Sequence, residues 1–531
     1  TLANRQRGDA GGLLASQDRL AGARWAMSSN GLGISPGAML IDTADEARDA
    51  NRSPILRVAQ RLESYEQRPT SKLARWLAED ASRLAASQDT DAQQLARSIE
   101  KNYRNANVRV AIAAGLIERL LPQPKAVTSV VRDRIAGNPV SGRATTETAL
   151  GIRLTPDPAA WRFGIEAQGT VQSQTISRGG PARLRSYGTT AFTAKKLVVL
   201  TPEGLQAAPA VAQATSQGSR LVGLSTNYDR VPLVGNYVRS AARSEYGKVK
   251  RRALAETRVK VERTVRQTLD TRTTKQLAEM EHRFQEDVVA RAAGLGLQIV
   301  PVEMRTTDLR VITRVRVAGD QQLAAHTPRV RAPSDSLLSV QMHESMLNNA
   351  LEGLDLAGAT LTPAELRERL VTRLQFPDDG ASTSDRAVLR FASEDPIRFR
   401  LADGRAQMTL SLDSISVRGR RHKKFKVHAF CRPEVNGLLA ELVQDGTPHI
   451  EGRMRTGSRM HLHGVMGKVL GENRRIPLIG GERTEQGKFA DALVGLATNQ
   501  FVIEDGWIGL AVGPPRPAEG RVAVQVGGYV R

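Results

Sequence analysis

Few residues have the type and spacing to do chemistry. His461-Leu462-His463 places two imidazoles two positions apart. On a strand they would share a face and could meet one metal ion. His449, on a neighbouring candidate strand, would supply a third ligand, with Glu451 as the nearest carboxylate. The competing reading is a set of ordinary half-buried strand histidines. Cys431 closes the apolar stretch VHAFC, with His428 on the opposite strand face, so a buried structural thiol is expected. His343-Glu344 opens like a helical zinc motif, but Leu347 occupies the second histidine position. Ser225 in GLSTN lacks the second glycine of a nucleophile elbow. Gly31, Gly33 and Gly37 miss the dinucleotide spacing, Gly294-Leu295-Gly296 follows a helix, and no GxxxxGK[ST] loop occurs. No catalytic residue and no cofactor are expected.

The charge is more informative. The 531 residues carry 76 basic and 55 acidic side chains, a net of +21. Of the basic residues 62 are Arg and 14 Lys, so a composition rich in Arg, Ala, Gly and Val could raise the charge without any anionic partner. The excess is nonetheless clustered. Residues 239–275 hold 12 basic and 4 acidic side chains, and RGRRHKKFK at 418–426 holds six basic and none acidic. Arg251 and Arg252 in the first cluster, and Arg420, Arg421, Lys423 and Lys424 in the second, are the candidates for contact with an anionic partner. The ordinary alternatives are a solvated helix face and a hairpin kept soluble by charge. Aromatics are only 4% of the chain, and only Phe425 interrupts the second run, so stacking platforms for single-stranded nucleic acid are scarce. One cysteine excludes an intramolecular disulfide scaffold and a cysteine-rich metal site.

Elements must position these groups, and the pattern is α+β. Residues 1–36 read as a loose leader. Residues 37–121 read as helical, from Ile55, Val58, Leu62 and Tyr65, from Leu73, Leu77, Ala81 and Leu84, and from Val110, Ala113, Leu116 and Leu120 at three- and four-residue spacing. Residues 122–160, rich in Pro, Gly, Ser and Thr, read as a linker. From Trp161 the period becomes two: Phe163, Ile165, Ala167 and Val171 alternate with Arg162, Glu166, Gln168 and Gln172. This opens a region, 161–326, of strands and one long basic amphipathic helix over 234–293, either continuous or joined near Asp270-Thr271. A strand is expected at 298–317. Residues 327–376 read as a linker with short helices at 337–351 and after the capping box Thr362-Pro363-Ala364-Glu365. Residues 377–531 read as an antiparallel β-rich domain, with strands that include 458–463 and 521–529 and with DG turns. No run of about 18 apolar residues occurs, so no transmembrane helix is expected. The opening TLANRQRGDAGG has no apolar signal core.

The segment SDSLLSVQMHESMLNNALEGLDLAGATLTPAELRERL (334–370), followed by FRLADGRAQMTLSLDSI, resembles exported bacterial proteins of unknown function that combine helical leading segments with long β-ribbons. More distantly, the 234–293 helix between β-rich stretches resembles the tubular lipid-binding (TULIP) class, where a curved antiparallel sheet wraps a long amphipathic helix around an apolar groove. That resemblance covers roughly 160–531 and implies a non-enzymatic periplasmic, envelope or extracellular protein that binds a lipid or an anionic envelope polymer. Val238, Val249, Val265, Met280 and Phe284 would then line the groove or simply the core. Two alternatives stay open: a nucleic-acid-associated protein using the same basic clusters, and a hydrolase whose site residues are scattered along the chain.

Overall fold

The computed structural model describes residues 54–374, 387–470, 474–481 and 488–516. The leader expected at 1–36 and the strand expected at 521–529 lie outside the described residues. The architecture is α+β, with antiparallel sheets and one very long helix. The chain divides into two compact units. One comprises residues 1–112, 283–303 and 312–531, and the other residues 113–282 and 304–311.

The first unit starts with α1 (Pro54–Gln67), α2 (Ser71–Ala85) and α3 (Thr90–Tyr103). Their predicted stripes meet: Val58, Leu62, Tyr65, Leu77, Leu84, Leu95 and Ile99 form one core. The helical pattern read at 110–121 is corrected. β1 (Val108–Ala113) is a strand, and only α4 (Ala114–Leu120), which belongs to the second unit, is helical. Val108, Val110 and Ile112 alternate at period two, and β-branched side chains suit that pleat.

The second unit is an antiparallel meander of β2 (Val127–Ile135), β3 (Asn138–Leu154), β4 (Trp161–Gly179), β5 (Ala182–Thr201) and β6 (Gly204–Ala207). It is completed by β7 (Val211–Thr226), which pairs with β5. The linker read at 122–160 is therefore corrected: most of it is paired ribbon. The middle of its inward face is small or hydroxylated (Gly142, Ala144, Thr146, Thr148), which breaks up the apolar signal of Val140, Leu150 and Leu154. Strands of 17 to 20 residues are far longer than the usual five or six. Phe163, Ile165 and Ala167 face inward opposite Val198, Lys196 and Ala194. Gly169 lies opposite Phe192, and a Cβ there would sit 2.9 Å from the ring and 1.9 Å from the Glu147 carbonyl oxygen.

Over this sheet runs α5 (Pro232–Phe284), a helix of 53 residues and about 80 Å. It continues through a π-helical turn at Gln285–Val289 into α6 (Ala290–Gly294). Val265, Leu269 and Leu277 pack on Ile165, Ala194 and Val198. Asp270 does not end the helix, because its carboxylate has other partners. It accepts Lys196 Nζ at 2.5 Å and the Ala210 backbone N–H at 2.9 Å. Glu262 accepts the Ala214 N–H at 3.0 Å, and Glu256 that of Ala136 at 2.8 Å. Helix carboxylates thus satisfy strand-edge and turn donors that would otherwise stay open to other chains.

The strand expected at 298–317 is a pair, β8 (Gln298–Thr306) and β9 (Arg310–Ala318). β10 (Leu338–His343) is a strand where a helix was expected, followed by α7 (Glu344–Glu352). The order β19-β20-β10-β1-β9-β8 makes a six-stranded sheet, with β19 (Ala497–Glu504) and β20 (Trp507–Gly513) on one side. β11 (Thr360–Leu361) precedes α8 (Pro363–Leu374), whose capping box forms: Glu365 Oε2 accepts the Thr362 N–H at 2.7 Å and Thr362 Oγ1 accepts the Glu365 N–H at 3.2 Å.

The other sheet holds β11, β12 (Ala387–Phe391), β13 (Ile397–Ala402), β14 (Arg405–Val417), β15 (Arg420–Asn436), β16 (Leu439–Gln444), β17 (His449–Glu451) and β18 (Arg475–Ile479). α9 (Thr456–Leu470) and α10 (Lys488–Leu493) complete the unit. Leu389, Phe391, Leu410, Leu412, Ile415, Phe425 and Val427 form its core with Leu462 and Met466 of α9. Hairpin turns follow the DG and RG dipeptides, with positive φ at both central residues: Asp403-Gly404 (53° and 72°), Arg418-Gly419 (48° and 78°) and Asp505-Gly506 (47° and 83°).

Candidate functional site: a basic basin on the β14–β15 hairpin

The hairpin of β14 and β15 begins as ordinary alternation. Leu410 and Leu412 point into the core, as do their β15 neighbours Phe425 and Val427. Past this point the parity inverts. Ile415 and Val417 are the buried apolar residues of this half of β14, while Arg421 and Lys423 of β15 are exposed. The change occurs where Asp413 and Lys424 drop out of the pairing between Leu412–Phe425 and Ser414–Lys423. Against β12, Asp413 is the additional residue of a register shift at Arg390/Phe391. Lys424 takes a left-handed backbone conformation, φ 46°, which is strained for a side-chain-bearing residue.

This distortion opens a basin of about 600 Å³ lined by Arg390, Asp413, Ser414, Arg421, Lys423, Lys424 and Arg453. Three segments contribute the five cations: β12, β15 and the loop after β17. Arg453 reaches the rim because Gly452 lies against β15, where a Cβ would be 2.9 Å from Phe425 Cβ and 3.2 Å from the Lys424 carbonyl oxygen. Arg421 donates to Ser414 Oγ at 3.2 Å. None of the five cations has a carboxylate ion-pair partner among the described residues. Asp413 alone among the lining residues carries negative charge. Like charges held together without counter-charge raise the local potential and favour an incoming anion.

Arg421, Lys423 and Lys424 are thus brought together. Arg420 stands at the hairpin turn and does not line the basin. Arg251 and Arg252 are exposed on α5 in the other unit. Arg390 and Arg453 belong to the basin but were not singled out in the sequence, since both lie more than 25 residues along the chain from the run at 418–426.

The metal reading at His461 and His463 rested on a strand, and this is corrected: both lie on α9, where residues two apart point about 200° away from each other. Leu462 and Met466 take the core-facing positions. The His461 ring instead stacks on His422, with centroids 5.5 Å apart. Among the described residues, His461 Nδ1 and His422 Nε2 are buried and find no hydrogen-bond partner. Burial, then the positive neighbours His461 and Arg420, push the His422 pKa below its ordinary value. His449 pairs with His428, which is bonded to Glu451 at 3.0 Å. Among the described residues no three His, Cys, Asp or Glu side chains are placed to share a metal ion. Burial raises the Cys431 pKa, which keeps it a thiol.

The groove candidates divide. Val265 packs in the core between α5 and the sheet, and Val238 and Val249 are half-buried. Met280 and Phe284 are 66% and 49% exposed and line no core. A second polar cluster surrounds His343, which caps α7 by accepting the Ser345 N–H at 3.2 Å. Glu344 there accepts the Leu401 N–H at 2.6 Å, and burial raises its pKa. The adjoining cavity, about 20 Å³ and also lined by Tyr65, has room for one water and no substrate.

No protein-family model matches this chain, and no curated relative matches its sequence. Among solved structures, one described as "Crystal structure of lipopolysaccharide binding protein" is 11% identical, over 77% of this chain and 99% of that one, with a TM-score of 0.30. A likeness of that degree carries no argument about this chain. No helix among the described residues is long and apolar enough to cross a membrane.

Proposed function

We propose that the protein is a non-enzymatic binding protein that holds an anionic envelope component, through its phosphate or carboxylate groups, in the basin on the β14–β15 hairpin. The observation that carries this reading is the convergence of Arg390, Arg421, Lys423, Lys424 and Arg453 on one open concavity with a single opposing carboxylate. The placement in the envelope or outside the cell rests on the resemblance of residues 334–370 to exported proteins. A nucleic-acid partner is less well served: the aromatic residue of the basic run, Phe425, is 3% exposed and offers no stacking surface.

The test is salt-dependent binding to a soluble polyanion, with heparin and polyphosphate as probes. The variant Arg421→Gln/Lys423→Gln/Lys424→Gln should bind with a log K versus log salt slope shallower by about two. All three side chains are exposed, so its melting temperature should stay at the wild-type value. An unchanged slope would remove the basin from the reading.

A further inference from the structure

The second unit carries an apolar surface that its own packing does not use. Five large side chains follow one another where β7 passes into α5: Tyr228, Val231, Leu233, Val234 and Tyr237. They are 46%, 49%, 87%, 44% and 77% exposed. The helix start is apolar over about half its circumference: Val238 and Ala242 are half-buried, while Leu233, Val234 and Tyr237 are open to solvent.

Local bonds hold the segment in shape. Asp229 accepts the Thr226 hydroxyl at 2.6 Å, the Thr226 N–H at 3.0 Å and Arg239 Nε at 3.0 Å. The Val231 N–H donates to the Tyr228 carbonyl at 2.9 Å. Gly235 packs so closely that a Cβ there would lie 2.6 Å from the same oxygen. The apolar side chains are therefore displayed by a fixed turn.

Cations stand at the same end of the unit, three of them on the sheet face that α5 does not cover. The β4–β5 turn is tied to this segment, because Ala182 pairs with Thr226 and the Asn227 N–H donates to the Pro181 carbonyl at 3.0 Å. That turn exposes Arg178 and Arg183 directly opposite each other, with Arg185 next along β5. Arg230 is exposed in the apolar segment itself. None of these four has a carboxylate partner among the described residues. Like charges facing across a strand pair are unfavourable unless an anion lies over them. Apolar and tyrosine side chains that share one end of the unit with arginines lacking a carboxylate partner among the described residues match the acyl boundary and the charged headgroups of an anionic bilayer.

The geometry points to this end of the second unit as a docking surface for an anionic lipid bilayer, with Leu233, Val234 and Tyr237 entering the interface and Arg178, Arg183 and Arg230 meeting headgroup phosphates. The surface belongs to the second unit and the basin to the first, and either can stand without the other.

The experiment uses the full chain with Arg421→Gln/Lys423→Gln/Lys424→Gln, which removes three of the basin's five cations, and vesicles of phosphatidylcholine with and without phosphatidylglycerol. The protein should float with the anionic vesicles. Leu233→Ser/Tyr237→Ser should weaken flotation about a hundredfold. Arg178→Gln/Arg183→Gln/Arg230→Gln should weaken it about fivefold per arginine on anionic vesicles, and not on neutral ones. The emission of Tyr237→Trp should shift to the blue on anionic vesicles, reporting entry of the introduced indole. Circular dichroism of each variant should match wild type. Wild-type flotation by the serine variant, or no blue shift from the Tyr237→Trp variant, overturns the proposal. So does self-association that the serine substitutions abolish while no vesicle is bound, which would assign the surface to a second copy of the chain.

Discussion

The contact between Lys196 and Asp270 makes a quantitative prediction about what ties α5 to its sheet. The Lys196 side chain is 4% exposed, and its ammonium lies 2.5 Å from an Asp270 oxygen. The two sides of the pair are unequal. Asp270 is 32% exposed and keeps the Ala210 N–H if Lys196 is removed, so Lys196→Met should cost about 1 kcal/mol or less. Asp270→Asn leaves an ammonium in the sheet core with no counter-charge, and such losses cost about 3–5 kcal/mol. Partial exposure of Asp270 places the value at the low end, about 3 kcal/mol. That corresponds to about a hundredfold in the opening equilibrium. Hydrogen exchange reads it locally: amides of β5 around Lys196 and of α5 around Asp270 should lose about a hundredfold in protection in Asp270→Asn. The double variant should recover most of it, since no buried charge remains. Equal losses in the two single variants, or no recovery in the double, would refute the reasoning.

Other outcomes follow from single contacts. Although burial opposes it, bonding from Lys196 and Ala210 holds the Asp270 carboxyl below its ordinary value, so its stabilisation is complete at neutral pH. It should vanish as pH falls through and below the usual carboxylate range, which the same amides would report. Burial depresses His422, so the unfolded chain takes up its proton first; stability should decline as pH drops from neutral through the ordinary histidine range, and less so in His422→Phe, as urea midpoints would show. Gly169→Ala should destabilise the second unit by about 1–3 kcal/mol, because its Cβ would overlap the Glu147 carbonyl and the Phe192 ring; faster exchange along β3 to β5 would report it. Thr362→Ala should fray the first turn of α8 at a cost of about 1 kcal/mol, again visible by exchange.

The fold class was legible because its strongest signals are long or local. A stretch without proline and with apolar residues every three or four positions could scarcely be anything but the long helix, and the Thr362–Glu365 box and the DG turns need only their own residues. The errors share a cause. VRVAIA and LSVQMH are short apolar runs whose side chains fit a strand or a buried helix equally, and pairing within one sheet decided them. TGSRMHLHGVMGKVL alternates at HLH and carries helix-weakening glycines, yet Leu462 and Met466 dock one helical turn apart in the core. In the basin, the run at 421–424 stood out. Its concavity could not, because it depends on a bulge opposite β12 and on Arg390 and Arg453, which only tertiary pairing brings close. The apolar end of the second unit was present in the sequence as NYDRVPLVGNYV, but it reads like any helix start until its exposure is seen.

The reversal at Asp413 and Lys424 has a consequence for how the hairpin can vary. A strand pair with one inward face throughout repeats itself every two residues, so a slip by two preserves its chemistry. This hairpin lacks that repeat. Sliding either strand by any amount would carry Arg421 or Lys423 toward the core, or lift Ile415 or Phe425 out of it. Deleting Asp413 alone would return β14 to plain alternation, with Leu412, Ile415 and Val417 still inward, and would leave Lys424 of β15 as an extra residue without a counterpart. Length changes here are tolerable only in matched steps on both strands, so the irregularity that opens the basin also fixes its coordinates against drift.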